Sequence, residues 1–190
     1  MNGALTIEQI STQVTKAAAD LAGYCRSLTD EQFFYQPVGK WSPAQQVKHL
    51  ITATHTAKLA FTLPKFIVRL IGGKPNRHSR TYDELVAKYK LKLEQGGKAS
   101  RPYIPKPVPA SYGKEKLLIR YSQSMQDFAG AVAKNWKEPL PDHYLAPHPL
   151  LGRVTLRELC YFTIYHTHHH LTAIRNLISN EKTRLLTSNY

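Results

Sequence analysis

The sequence predicts an all-α fold, a four-helix bundle with one long crossover between its second and third helices. Three observations carry this expectation. Four long segments repeat apolar side chains at three- and four-residue spacing. Three of those segments open on the spacing of a capping box, in which a hydroxyl takes a free N–H and the side chain three residues on reaches back. Strand-type alternation is poor throughout.

The first helix spans about 7–28, after Thr6-Ile7-Glu8-Gln9, with Ile10, Val14, Ala17, Ala18 and Leu21 on one face. The second spans about 43–63. Ser42-Pro43-Ala44-Gln45 starts it with proline at the first helical position, where a missing N–H costs nothing, and Val47, Leu50, Ile51, Ala57 and Phe61 are its apolar residues. Pro64 breaks or kinks it. The third spans about 114–136, with Leu117, Leu118, Tyr121, Met125, Phe128 and Val132. The fourth spans about 156–178, after Thr155-Leu156-Arg157-Glu158.

Residues 29–42 join the first two helices, which allows them to be antiparallel neighbours. The crossover, about 65–112, is much longer. Thr81-Tyr82-Asp83-Glu84 opens a short helix there, with Leu85, Tyr89 and Leu93, and Gly96-Gly97 ends it. Residues 101–110 hold four prolines and read as extended loop. A connection of that length can cross the bundle, so the second and third helices can run parallel. Residues 137–154 hold another four prolines and read as loop. The expectation is one domain over 1–190.

At 190 residues, 42% hydrophobic and 21% charged, the chain can build a full core without disulfides and is neither a disordered tail nor a fibre. Cys25 and Cys160 form no CxxC pair, and Leu159 and Tyr161 flank the second, so small core filler is the simpler role. The first residues lack the basic and apolar regions of a signal peptide. The most apolar stretch, 57–73, carries Lys58, Pro64, Lys65 and Arg69, so no membrane span is expected. A cytoplasmic protein is the resulting expectation.

The formal net charge is +13, and residues 65–106 hold eleven Lys/Arg against three acids. Such a basic segment can steer an anionic substrate. It can also bind nucleic acid or another polyanion, with Tyr82, Tyr89 and Tyr103 as stacking aromatics. No helix-turn-helix, RRM or OB pattern supports the second use, and a solvated basic surface is the plainer reading.

Nine histidines are present, four of them at His166, His168, His169 and His170. On a helix, His166 and His170 stand about 40° apart around the axis and about 6 Å along it, so both rings can reach one ion. Their face continues through Leu159, Thr163, Ala173, Ile174 and Leu177, the apolar stripe, so both point inward. His168 falls on another face and His169 lies at the edge. Two adjacent buried imidazoles are awkward unless hydrogen bonds or a divalent cation satisfy them. A third ligand must come from another helix, and His49 is the candidate, with Ala53 and Ala60 leaving room for a cavity above it. His55 faces elsewhere. His78, His143 and His148 are expected in solvated loops.

Trp41-Ser42-Pro43 through His49-Leu50, followed by Tyr165-His166-Thr167-His168-His169-His170-Leu171 on the last helix, resembles the DinB/YfiT-like superfamily over about residues 5–180. The resemblance implies a four-helix bundle holding one divalent metal on His49, His166 and His170. Three neutral nitrogen ligands leave positions open for water or substrate, the pattern of a catalytic site. Zinc and nickel suit imidazole, and iron and manganese stay open. It further implies a metal-dependent enzyme on a small molecule, of the hydrolase or thiol S-transferase type, with a low-molecular-weight thiol as cosubstrate in the latter. A homodimer is also an expectation of the resemblance. Relatives often carry an acidic residue one turn after the first histidine, where this chain has Thr52, Ala53 and Thr54, so no general base is evident. Thr163, Tyr165 and Tyr121 are candidate pocket residues. The alternative is a non-enzymatic binding module on the same fold.

Overall fold

The computed structural model describes residues 4–187, with side chains through residue 181. In chain order the elements are α1 (Ile7–Ser27), α2 (Asp30–Phe34), α3 (Pro43–Thr62), α4 (Lys65–Gly72), α5 (Tyr82–Glu94), α6 (Lys114–Asn135), α7 (Leu140–His143), β1 (Leu145–His148), β2 (Gly152–Thr155) and α8 (Leu156–Thr187). The bundle is α1, α3, α6 and α8. The capping boxes form as the spacing requires: Thr6 with Gln9, Ser42 with Gln45, Thr81 with Glu84. Thr155 Oγ1 accepts from the Glu158 N–H while the Glu158 carboxylate accepts from the Thr155 N–H. A further box, Thr29 with Gln32, opens α2 inside a segment read as plain connection.

The apolar stripes meet in one core. Phe61 of α3 and Phe128 of α6 pack edge-to-face with centroids 5.8 Å apart, and both are essentially fully buried. Burying one such side chain contributes about 1.5–3 kcal/mol. Cys25 and Cys160 are buried within it, and desolvation pushes the Cys25 thiol up to about 12. Core filler is their role.

Each long helix packs against two others, in the order α1, α6, α3, α8 around the bundle. The first two long helices, α1 and α3, are therefore diagonal, not the antiparallel neighbours that the short connection suggested. Within that connection α2 docks on α3 and carries the chain across the end of the bundle.

The crossover is a roof. α4 packs on β1, α5 packs on α8, and the turn at Arg101–Tyr103 touches α3. Residues 137–154 are not simply loop either: α7 is followed by an antiparallel hairpin, with Leu145 opposite Thr155 and His148 opposite Gly152. Four-residue strands are too short to show alternation, and Pro147 is tolerated because a two-stranded ribbon has only edges. No helix among the described residues is long and apolar enough to cross a membrane.

A Cβ on Gly72 would overlap the carbonyl of Leu145, so α4 seats its last turn directly on β1. In an open helix Gly→Ala would stabilise by roughly 0.5–1 kcal/mol. Here Gly72→Ala is expected to destabilise by about 1–3 kcal/mol, because backbone must shift. Thermal unfolding followed by circular dichroism should show a melting temperature lower by several degrees; an increase would contradict this packing.

Candidate metal centre

His49 comes from α3 and His166 and His170 from successive turns of α8. All three are buried, at 6%, 5% and 7% exposure. Their Nε2 atoms converge. His166 Nε2 lies 3.1 Å from His49 Nε2 and 3.1 Å from His170 Nε2.

The tautomers follow from the outer partners. His49 Nδ1 lies 2.7 Å from the Tyr103 carbonyl, which can only accept, so Nδ1 carries the proton and Nε2 is bare. His170 Nδ1 lies 2.9 Å from Gln46 Oε1, which fixes the same tautomer. Two bare nitrogens thus face a third ring that can offer one proton at most. Desolvation drives the His166 and His170 rings well below the usual imidazole range, and the neighbouring imidazoles add to it. The His49 ring is lowered by burial too, against the Tyr103 carbonyl, which raises it. The rings are therefore neutral at neutral pH, the form that binds metals.

A tetrahedral zinc with nitrogen ligands at about 2.0–2.1 Å spaces them roughly 3.3 Å apart. The donor set fits: two edges are 3.1 Å, and one ligand atom from each residue lies within 4.8 Å of the others. Tyr103 and Gln46 hydrogen-bond the His49 and His170 rings from outside, the kind of outer partner that orients imidazoles in known metal sites. Sequence reading missed both. Gln46 had a signal, since it lies three residues before His49 on the same helix and is a polar residue in a buried run. Tyr103 acts through its carbonyl and had none.

The cluster lies on the wall of a cavity of about 360 Å³. Ala53, Ala57 and Ala60 of α3 make the room, and Val68, Leu93, Leu145 and Phe162 close it from α4, α5, β1 and α8. No Asp, Glu, Lys or Arg lines it among the described residues. Trp41 lies 5.0 Å from the His49 ring and nearly parallel to His170 at 6.4 Å. Phe162 stacks on His166 at 4.7 Å. These rings exclude water from the imidazoles they cover.

Other candidates are distributed unevenly. His55, His78 and His143 are exposed. His148 is half-buried and not in a loop: it lies in β1, lines the cavity, and has its ring 4.2 Å from Phe162. His169 also lines the cavity, 5.3 Å from the His170 ring. Thr163 lines it, but its hydroxyl donates to the Leu159 carbonyl. Tyr165 packs on Tyr89 and His169, outside the lining, and Tyr121 is buried in the core away from it.

Part of the basic crossover's charge is engaged by the fold, while Lys74, Lys90, Lys98, Arg101 and Lys106 are exposed. Arg77 and Arg80 pair with the buried Glu158 carboxylate, and Arg69 lies over the Tyr144 ring. The three tyrosines proposed as stacking aromatics are also engaged. Tyr82 packs on Tyr161, Tyr89 is buried among α8 rings, and Tyr103 meets His49 edge-on. This weighs against the nucleic-acid reading.

A helical bundle that gathers three imidazole nitrogens on the wall of an apolar cavity defines a class of proteins able to carry a mononuclear metal site. The sequence model of the DinB superfamily matches residues 13–174, and the chain belongs to that superfamily. Among solved structures, YfiT from Bacillus subtilis is similar over 96% of this chain and 93% of its own, at 17% identity and a TM-score of 0.56. That protein is described as a probable metal-dependent hydrolase with an unusual four-helix bundle topology. The likeness establishes the shared fold. No curated protein matches the sequence.

Proposed function

We propose that this protein is a metal-dependent enzyme of hydrolytic type, in which His49, His166 and His170 hold one divalent ion and a small molecule binds in the adjoining cavity. The convergence of three Nε2 atoms, two with their tautomers locked from outside, carries this reading. The description of YfiT supports the reaction class. Zinc or nickel suits three imidazoles. When bound, the ion supplies Lewis acidity and lowers the pKa of a ligand such as water.

The chain's own contribution is orientation and dryness. Tyr103 and Gln46 aim the His49 and His170 nitrogens. Trp41 and Phe162 shield the rings, and the alanines of α3 leave space for an apolar substrate body. A second reading, transfer of a low-molecular-weight thiol, is favoured by one observation: among the described residues no carboxylate lines the cavity to take a proton from water, whereas a thiol ionises far more readily.

The test is a panel of neutral aryl esters and of electrophiles paired with thiols, assayed with zinc- or nickel-loaded protein and after chelation. Turnover that needs the metal is expected, and metal-independent turnover would contradict the reading. Gln46→Leu should weaken metal binding about 10–100-fold while the protein stays folded, as loss of an outer partner does elsewhere. Unchanged affinity in a metal-competition titration would remove Gln46 from the account.

A further inference from the structure

The ring of His148 is fixed in one tautomer. Its Nδ1 accepts from the backbone N–H of Leu150 at 3.2 Å and of Leu151 at 3.1 Å, so Nδ1 carries no proton and Nε2 must. This is the reverse of the tautomer at His49 and His170. Nε2–H has no protein acceptor among the described residues, yet it is not among their sealed-off unpartnered polar atoms. The residue lines the cavity, so this donor is left for whatever binds there.

We propose that His148 is the ligand-orienting donor of the cavity: its Nε2–H binds a carbonyl-type oxygen on an uncharged, apolar-bodied molecule whose other end reaches the three-histidine cluster. The proposal deepens the function above and rests on it only for the second anchor. Several observations select the ligand class. The wall beside His148 is apolar, formed by Leu145, Leu150, Leu159 and Phe162. Among the described residues no Lys or Arg lines the cavity to compensate a buried carboxylate, and a neutral imidazole does so poorly. A ketone, ester or amide oxygen needs only one neutral donor. Burial holds the His148 ring down at about 4, so it stays a neutral donor throughout the physiological range.

The spacing fits a small molecule. Phe162 neighbours both anchors, 4.7 Å from His166 and 4.2 Å from His148, centroid to centroid. A ligand lying along Phe162 can touch both. The charges of the basic crossover stay outside the lining, so they bear on approach to the cavity and not on what its wall contacts.

The experiment compares benzophenone with diphenylmethane, two apolar probes of similar shape of which only the first has a carbonyl. Binding is measured on chelator-treated protein, so no metal enters the readout. Wild type should prefer benzophenone about tenfold, the size of one hydrogen bond in a dry site. His148→Asn keeps an oxygen where Nδ1 accepts the two backbone N–H groups but deletes the distal donor. It should bind both probes about equally, with an unchanged circular dichroism spectrum. Nitrogen-15 NMR of histidine-labelled wild type should show His148 with a bare Nδ1 and a protonated Nε2 that shifts when benzophenone is added.

Equal affinities in wild type, no binding of either probe, or a preference that survives His148→Asn would overturn the proposal. Zinc titration of both proteins separates the two readings. A wild type that binds zinc but shows no carbonyl preference refutes His148 alone. A wild type that shows the preference, lost in His148→Asn, but binds no zinc refutes the metal reading alone.

Discussion

His166→Ala is expected to lose stoichiometric zinc while remaining folded. His166 is the hub, since its Nε2 is 3.1 Å from both other ring nitrogens. Zinc sites built from four protein ligands contribute about 10–16 kcal/mol, so one ligand is worth roughly two to three powers of ten in affinity. The thermal consequence is measurable. At zinc about 100-fold above its dissociation constant, wild type gains about 2.7 kcal/mol, or several degrees in melting temperature. His166→Ala at the same zinc concentration should gain less than about 0.5 kcal/mol. His168→Ala is the control within the same histidine run. That ring is half-buried on a different face of α8 and is influenced by Asp20 and Lys16 of α1. It should bind zinc like wild type. Equal zinc affinity in both variants would contradict the ligand assignment.

Glu158→Gln is expected to have the largest effect on stability. The Glu158 side chain is completely buried. It accepts from Arg77 at 2.5 and 2.8 Å, from the Arg80 N–H at 2.6 Å and from the Thr155 N–H at 3.0 Å. It therefore caps α8, the helix that carries His166 and His170, and ties the crossover to it. Removing one partner of a buried ion pair typically costs about 3–5 kcal/mol, because the other charge is left uncompensated. A melting temperature lower by about 10 °C is expected.

The same residue gives a pH test. Burial alone would raise the Glu158 pKa, but the Arg77 fork and the Arg80 and Thr155 N–H groups outweigh it, and the pKa is lowered. A lowered carboxylate stabilises the fold in full above its unfolded pKa, about 4.3, and loses that contribution as pH falls through the folded value. The gap between wild type and Glu158→Gln in urea unfolding should be widest near neutrality and narrow in acid. A gap independent of pH would contradict the ionised pairing.

Some of this was written locally in the chain and some was not. The helix starts were legible because a capping box is a four-residue device, and Thr6, Ser42, Thr81 and Thr155 all perform it. The inward aim of His166 and His170 followed from helical periodicity, and the small residues near His49 pointed to the space above it. The diagonal placement of α1 and α3 was not legible, since it depends on which stripes mate across the bundle and not on the length of the joining segment. The β1–β2 hairpin escaped because its strands are short and one contains Pro147. His148 escaped with it: its burial and tautomer come from folding the hairpin over Phe162 and turning back at Leu150 and Leu151. The basic crossover misled for the reverse reason. Its charge count was plain, but pairing with a buried Glu158 is a long-range event that composition does not record.

The central claim is that three imidazoles from α3 and α8 share one ion. X-ray absorption at the metal edge, on protein purified without a metal-affinity step and then loaded with one equivalent of zinc, reads the ligand set directly. The account predicts a first coordination sphere with three imidazole nitrogens and no sulfur, reduced to two imidazoles or lost altogether in His166→Ala. A spectrum of hydrated zinc, or one identical in wild type and His166→Ala, would contradict it.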